Sequence, residues 1–331
     1  VAIRPAAMGH GPRGACTNCH RPGPTGDAAR GPGSTLVVGG ARVPEAEWAA
    51  HASGLSDAER KVPPSRLLAS YLGKANPLAD ATAWTSPAHA GLDRYSIEQY
   101  VRMQGASDAA VRLMDVAPNC PSIATTSALW ALRDEQRRRS ASGVPQEFAD
   151  GGSAIVTAMA RSLRGRLHLS QPVSEVAARA DGVSVRCASG EVFDADGAVC
   201  ALPLPALRQI TFVPPLPALQ AEAVREVPYT PITKVFLKVT RAFWEEDGLP
   251  ASMWTDSPLD RVFPLRAAGG GIEGLVCFLD GAQAVALDAV PAAAVEERVL
   301  TELARLRPST KGAVSLAGGV SWTADPLAGG A

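Results

Sequence analysis

The chain has 331 residues, enough for two cores or one large composite core. Its formal net charge is −1, with acidic and basic residues interspersed. No lysine or arginine block is long enough to suggest nucleic acid or an anionic membrane. The 46% hydrophobic content fits a soluble globular protein, and no apolar run nears the roughly 18 residues that cross a bilayer.

Residues 1–34 are dominated by Gly, Pro, Ala and Arg and carry neither helical nor strand periodicity. They read as loop, disorder or out-of-frame translation of a GC-rich gene. Order begins with the apolar strand Thr35–Val38, the Gly39-Gly40 turn and a second short extended piece. From about 44 to 148 the pattern is helical with short breaks. Ser96 and Gln99 form a capping box for a helix that Gly105 closes, and Ser107 caps the next, which Pro118 ends. A third helix is expected over 123–139, with arginines 137–139 at a solvated end where cations suit the helix dipole.

Gly151-Gly152 opens a new unit with a helix over 153–163 and strands near 166–169, 173–179, 182–187 and 197–202. Asp181-Gly182 and Ser189-Gly190 are the hairpin turns. A helix over 217–226 precedes the strand Ile232–Val239, then strands at 260–264 and 274–279. Pro291 opens a helix whose Val295, Val299, Leu303 and Leu306 make one apolar face. A last strand near 313–317 leads to Trp322.

Among the motifs, Cys16-Thr17-Asn18-Cys19-His20 matches the CxxCH pattern of c-type haem attachment, but no helices around it could pack a macrocycle. A haem, a zinc or redox role, and coincidence or sequence error all stay open. The four other cysteines are scattered, and Cys187 and Cys200 fall on strand-like runs as small buried hydrophobes. Gly269, Gly271 and Gly274 spell GxGxxG, yet a strand follows at once where a dinucleotide site needs a helix, so they read as a turn. The five histidines lack metal spacing, and no metal site is expected. Lys234 stands in the apolar strand PITKVFLKV, sharing a face with Phe236 and Lys238 by alternation. Either that face is partly open to water, or the lysine projects into a cavity where desolvation lowers its pKa and it holds a water.

The Gly-Gly-helix at 151–163, Gln171-Pro172-Val173, Phe212-Val213-Pro214-Pro215-Leu216-Pro217, Lys234 before Phe243-Trp244, and Trp322-Thr323-Ala324-Asp325 before Gly329-Gly330 fall in a familiar order and spacing. Together they resemble the flavin-containing amine oxidase family, with its monoamine, polyamine and L-amino-acid oxidase relatives. The resemblance implies a mixed α/β (α+β) fold, a partial two-domain FAD-linked oxidoreductase. Its discontinuous FAD-binding domain would be 149–215 and 321–331. Its substrate domain would have a helical part at 35–148 and a sheet part at 216–320.

It implies non-covalent FAD, since Ala331 stands where some members carry a flavin-bonded cysteine. Val173 would touch the adenine end through its backbone, and Lys234 would hold a water against flavin N5. Trp322 would pack beside the isoalloxazine, and Pro203, Gly329 and Gly330 would join the cofactor site. The reaction implied is hydride transfer from the amine-bearing carbon of an amine or amino acid to flavin N5, with oxygen reduced to peroxide. Weighed beside it are a flavin desaturase or protoporphyrinogen-type oxidase, a haem electron-transfer protein built on Cys16–His20, and an inert fragment. The family's N-terminal phosphate-binding glycines and C-terminal FAD segment have no match, so an incomplete copy that holds FAD weakly is expected. The compartment is open, with the cytoplasm as default, and the oligomeric state is unassigned.

Overall fold

The computed structural model describes residues 33–52, 54–116, 118–141, 153–163, 167–267 and 270–331. The Cys16–His20 motif, Gly151-Gly152 and Gly269 lie outside them. In chain order, strands β1 (Thr35–Val38) and β2 (Ala41–Pro44) form a hairpin, followed by helices α1 (Trp48–His51), α2 (Pro64–Lys74), α3 (Ile97–Met103), α4 (Asp108–Met114) and α5 (Ala128–Ser140). Next come α6 (Ser153–Ser162), β3 (Val173–Arg179), β4 (Gly182–Cys187), β5 (Val192–Ala195), α7 (Leu204–Leu207), β6 (Thr211–Val213) and α8 (Ala218–Glu226). The remainder is β7 (Ile232–Val239), α9 (Phe243–Asp247), β8 (Met253–Thr255), β9 (Arg261–Arg266), β10 (Ile272–Asp280), α10 (Gly281–Asp288), α11 (Ala292–Leu306) and β11 (Val314–Ser321).

The described residues cluster into two compact units, each discontinuous in sequence, one from 153–229 with 322–331 and one from 33–141 with 230–321. The first carries a four-stranded sheet in the order β5-β4-β3-β6, antiparallel except for β3 with β6. Helix α8 belongs to this unit. Arg208, just past α7, bonds the carbonyls of Val224 and Val227 at 2.7 and 2.8 Å and pins the two helices together.

The second unit is built on a seven-stranded mixed sheet in the order β11-β7-β10-β9-β8-β1-β2. Alternation along β1 and β8 sends residues to opposite cores. Leu36 and Trp254 join the cluster of α1–α5, while Val37 and Met253 join Val235, Leu237, Cys277 and the apolar stripe of α11. Val299, Leu303 and Leu306 of that stripe are buried, as their spacing predicts. The capping box at Ser96 and Gln99 is formed, and Ser107 caps α4.

Several expectations are corrected. Helix α5 starts at Ala128 and not near 123, because Ser127 is its cap and residues 122–126 are tied in turns around Ser122 and Asp115. No strand forms at 167–169 or 197–202. The strand after the Ser189-Gly190 turn is Val192–Ala195, which takes the place beside β4. Val199 is almost wholly exposed and Cys200 is exposed, so an apolar run with no neighbour to pair with is not a strand. Helix α10 went unread because Gly281 opens it directly from the end of β10, with no break in apolar character. Of the GxGxxG glycines, Gly271 lies in the turn between β9 and β10, whereas Gly274 is inside β10, paired with Lys238.

Candidate functional site

Lys234 lies on β7 between two pairing partners, Val320 on β11 and Phe278 on β10. Phe278 is in turn opposite Arg261 on β9, and Arg261 opposite Trp254 on β8. Residues in register share a face, so Val320, Lys234, Phe278, Arg261 and Trp254 form one row across the sheet. The row points away from the core packed under α10 and α11. The Lys234 Nζ lies 5.0 Å from the Phe278 ring centroid, and the Arg261 guanidinium carbon lies 4.6 Å from the same centroid. Lys234 is half-buried, with no hydrogen bond or carboxylate partner among the described residues. Burial and, secondarily, the Arg261 charge push its pKa down. Lys238, four residues on, is exposed.

Arg261 is held from behind. Its Nη2 donates to Asp280 Oδ2 at 2.8 Å and to Asn119 Oδ1 at 3.0 Å. The Asn119 N–H also donates to Asp280 Oδ2 at 3.0 Å, and the Asp280 N–H donates to Asp260 Oδ2 at 3.0 Å. Burial raises the pKa of both acids, that of Asp260 to about 7. Asn119 and Asp260 have φ of 56° and 48°, the left-handed region that non-glycine residues rarely take. Sequence reasoning missed this cluster. Arg261 lies on a strand it expected and Asp280 just past the end of the next, but nothing local links Arg261 to Asn119, 142 residues away.

The other expected residues lie in the first unit. Val173 opens β3 opposite Cys187, and the register shifts just after it. The approach to Val173 is fixed by the Ala188 N–H on the Pro172 carbonyl at 2.8 Å and by the Gln171 side chain, which bonds Ser189 at 2.7 Å and Glu191. Pro203 precedes α7, its carbonyl accepting from the Ala206 and Leu207 N–H groups. The Leu204 N–H donates to the Tyr229 hydroxyl at 3.1 Å.

Trp322, Gly329 and Gly330 share one turn, in which the Gly330 N–H donates to the Trp322 carbonyl and the Gly329 N–H to that of Asp325, both at 2.8 Å. This turn sits on α7: a Cβ at Gly329, where φ is 68°, would lie 2.6 Å from the Pro205 Cβ, and Gln209 bonds the Pro326 carbonyl. The fold thus brings the segment 203–209 against 322–330, over a hundred residues away in sequence, while Val173 stands on the sheet of the same unit. Among the described residues, no group of three or more His, Cys, Asp or Glu is placed to hold a metal, and no helix is long and apolar enough to cross a membrane.

Residues 93–331 match the family model described as flavin containing amine oxidoreductase. Among curated proteins, an L-amino-acid oxidase of Daboia russelii is 30% identical over 166 residues, which is 47% of this chain and 32% of that protein. One from Bungarus fasciatus is 29% identical over 162 residues, 47% of this chain and 31% of that protein. The chain spans about a third of the length of these relatives. Among solved structures, cyclohexylamine oxidase from Brevibacterium oxydans superposes with a TM-score of 0.70 at 19% identity, covering 90% of this chain and 68% of that one. A putrescine oxidase variant with redesigned cofactor binding superposes with a TM-score of 0.70 at 20% identity over the same shares of the two chains.

Proposed function

Because the chain belongs to the flavin-containing amine oxidoreductase family, we propose that it is part of an FAD-dependent oxidase of amines or amino acids, with Lys234 as the residue that serves the flavin. FAD, when bound, accepts a hydride from the amine-bearing carbon of the substrate and passes the electron pair to oxygen, giving peroxide. The observation that carries the reading is the half-buried Lys234 amine without a carboxylate partner among the described residues, beside an aromatic ring and a second cation. A lysine so placed is biased toward the neutral amine, whose lone pair accepts a hydrogen bond from a water while its N–H groups donate.

The unit of 153–229 and 322–331 is read as the FAD side. Val173, Pro203, Trp322, Gly329 and Gly330 bind the cofactor there, non-covalently. The fit rests on the turn at 325–330, where Gly330 with φ of 126° presents backbone without a side chain, while Gly329 lets the turn pack closely on Pro205. The unit of 33–141 and 230–321 is read as the substrate side. The resemblance to L-amino-acid oxidases supports an amino acid as substrate, and the likeness to amine oxidases supports a simple amine.

The test is anaerobic addition of an L-amino-acid panel and an amine panel to the FAD-loaded protein containing this chain. Loss of the oxidised-flavin absorbance with a member of either panel, and peroxide on readmitting air, is the expected result. Lys234→Met should retain FAD yet slow turnover by about 10²-fold, the scale of a positioned proton-handling group. Bound FAD that no member of either panel reduces would overturn the proposal.

A further inference from the structure

We propose that Arg261 is a positioning residue for Lys234: anchored by Asp280 and Asn119, its guanidinium occupies the Phe278 ring that Lys234 shares and so disfavours the protonated form of the lysine amine. The inference rests on the reading of Lys234 as the flavin-serving lysine and adds the device that prepares it.

Three observations carry it. The first is the row itself. Register pairing places Arg261, Phe278 and Lys234 side by side on three adjacent strands, with both cationic groups against one ring at 4.6 and 5.0 Å. An aromatic face attracts one cation well. Two within about 10 Å of each other repel, and at an effective dielectric near 20 that repulsion disfavours the second charge by more than about tenfold, part of which the Asp280 charge beside Arg261 cancels.

The second observation decides which cation yields. Arg261 stays charged at any working pH and is bonded to Asp280, whereas Lys234 has no acid partner among the described residues. Lys234 therefore gives up its proton more readily.

The third observation is the rigidity of the anchor. Asn119 donates to Asp280 and accepts from Arg261, so the segment 118–121 closes the ion pair from outside the sheet. That segment is locked onto the end of β10, because a Cβ at Gly281 would lie 2.6 Å from the Pro121 carbonyl oxygen. Two of the three non-glycine residues with left-handed backbone among the described residues, Asn119 and Asp260, belong to this anchor. Such strain persists where the surroundings over-determine it, often at functional sites.

Among the described residues, the charged groups around the pair include Asp280, Asp260 and Asp115 behind Arg261, and Lys238 further along β7; β11 contributes Val320. The Asp280 charge opposes that of Arg261 at Lys234, but Asp280 bonds Arg261 and not the lysine.

The experiment reads Lys234 directly and needs no flavin. The protein is treated with a trace acylating reagent across a pH series, and modification of Lys234 and Lys238 is quantified by peptide mass spectrometry. In the parent protein, Lys234 should reach half of its own plateau at a lower pH than Lys238. Arg261→Met combined with Asp280→Asn removes the pair without stranding a buried carboxylate. It should reduce Lys234 modification, relative to its plateau, by about fivefold at a pH below the Lys238 midpoint. Arg261→Lys keeps a cation and should keep the low midpoint.

A structural role alone would change the plateau or the rate of both lysines without moving the Lys234 midpoint, and that result would overturn the proposal. A moved midpoint in a protein whose FAD no amine or amino acid reduces would leave Arg261 as the tuner of Lys234 while refuting the oxidase reading.

Discussion

Asp247→Ala probes the attachment of α9 and the end of α11 to the large sheet. Arg307 is fully buried, and its guanidinium is gripped by both oxygens of Asp247 at 2.8 and 2.7 Å. It also donates to the carbonyls of Leu249 and Pro250 at 2.8 and 2.5 Å and lies 4.7 Å from the Phe243 ring. Removing the carboxylate leaves a buried cation with carbonyls as its main acceptors. Breaking a buried pair on one side costs about 3–5 kcal/mol. The surviving carbonyl bonds, and the 25% of the Asp247 side chain that still meets solvent, set the expectation at the lower end, ~3 kcal/mol.

Urea unfolding followed by tryptophan fluorescence measures it. Arg307→Met removes the charge while filling the space, so the double variant should be at least ~2 kcal/mol more stable than the sum of the single losses implies. Acid supplies a second readout. Burial by itself would raise the Asp247 pKa, but bonds from Arg307, Ser309 and the Leu249 N–H outweigh it and bring it from 3.8 down to about 2. A depressed carboxyl contributes stability that is present above the unfolded value and lost as pH falls through the folded one. The advantage of the parent over Asp247→Ala should therefore shrink between about pH 4 and pH 2. A loss under ~1 kcal/mol, the range of exposed pairs, or strict additivity of the two substitutions would refute the account.

Two further outcomes can be checked. Glu59 is buried and accepts from the Ser56 N–H, from the N–H and hydroxyl of Ser107, and from the Tyr71 hydroxyl, at 2.7 to 2.8 Å. Burial and then this contact push Tyr71 up to about 12. Glu59→Ala should lower the phenolate transition of Tyr71 toward the ordinary 10.0 and weaken the fold by ~2 kcal/mol; an unmoved ultraviolet titration would contradict it. Asp260, raised by burial to about 7, binds a proton in the folded state that the unfolded chain has already released. Stability should then fall as pH rises from about 5 to 7, by at most ~1.4 kcal/mol per pH unit. Asp260→Asn, which can still accept from the Asp280 N–H, should remove that contribution, and urea midpoints with an unchanged pH slope would count against it.

How much could be read beforehand differs by the range of the interaction. Alternation marked β7 to the residue, because one face of that strand is core and the other carries Lys234, Phe236 and Lys238. The stripe Val299, Leu303 and Leu306 was equally plain, since helical periodicity and burial agree along one segment. Serine caps were legible for the same reason: the bond from Ser96 to Gln99 spans three residues. The run 197–202 misled because apolar content records a tendency to be buried, and whether a strand forms depends on finding an edge to pair with. Val199 found none.

The site shows the same divide. Lys234 could be singled out from its neighbours, because a lysine in an apolar strand conflicts with its surroundings at once. Its company could not. That Phe278 would stand opposite it, that Arg261 would stand opposite Phe278, and that Asn119 would close the pair from another part of the chain are consequences of strand register and loop docking. Shifting β10 by one residue would turn Phe278 to the opposite face and Lys234 would lose its ring. The chain's own order of residues thus specified a lysine out of place on a sheet. The packing of β7 between β11 and β10, with Asp280 and Asn119 behind Arg261, made that lysine a half-buried amine without an acid partner among the described residues. Register and burial, which no local run of residues encodes, push its pKa down.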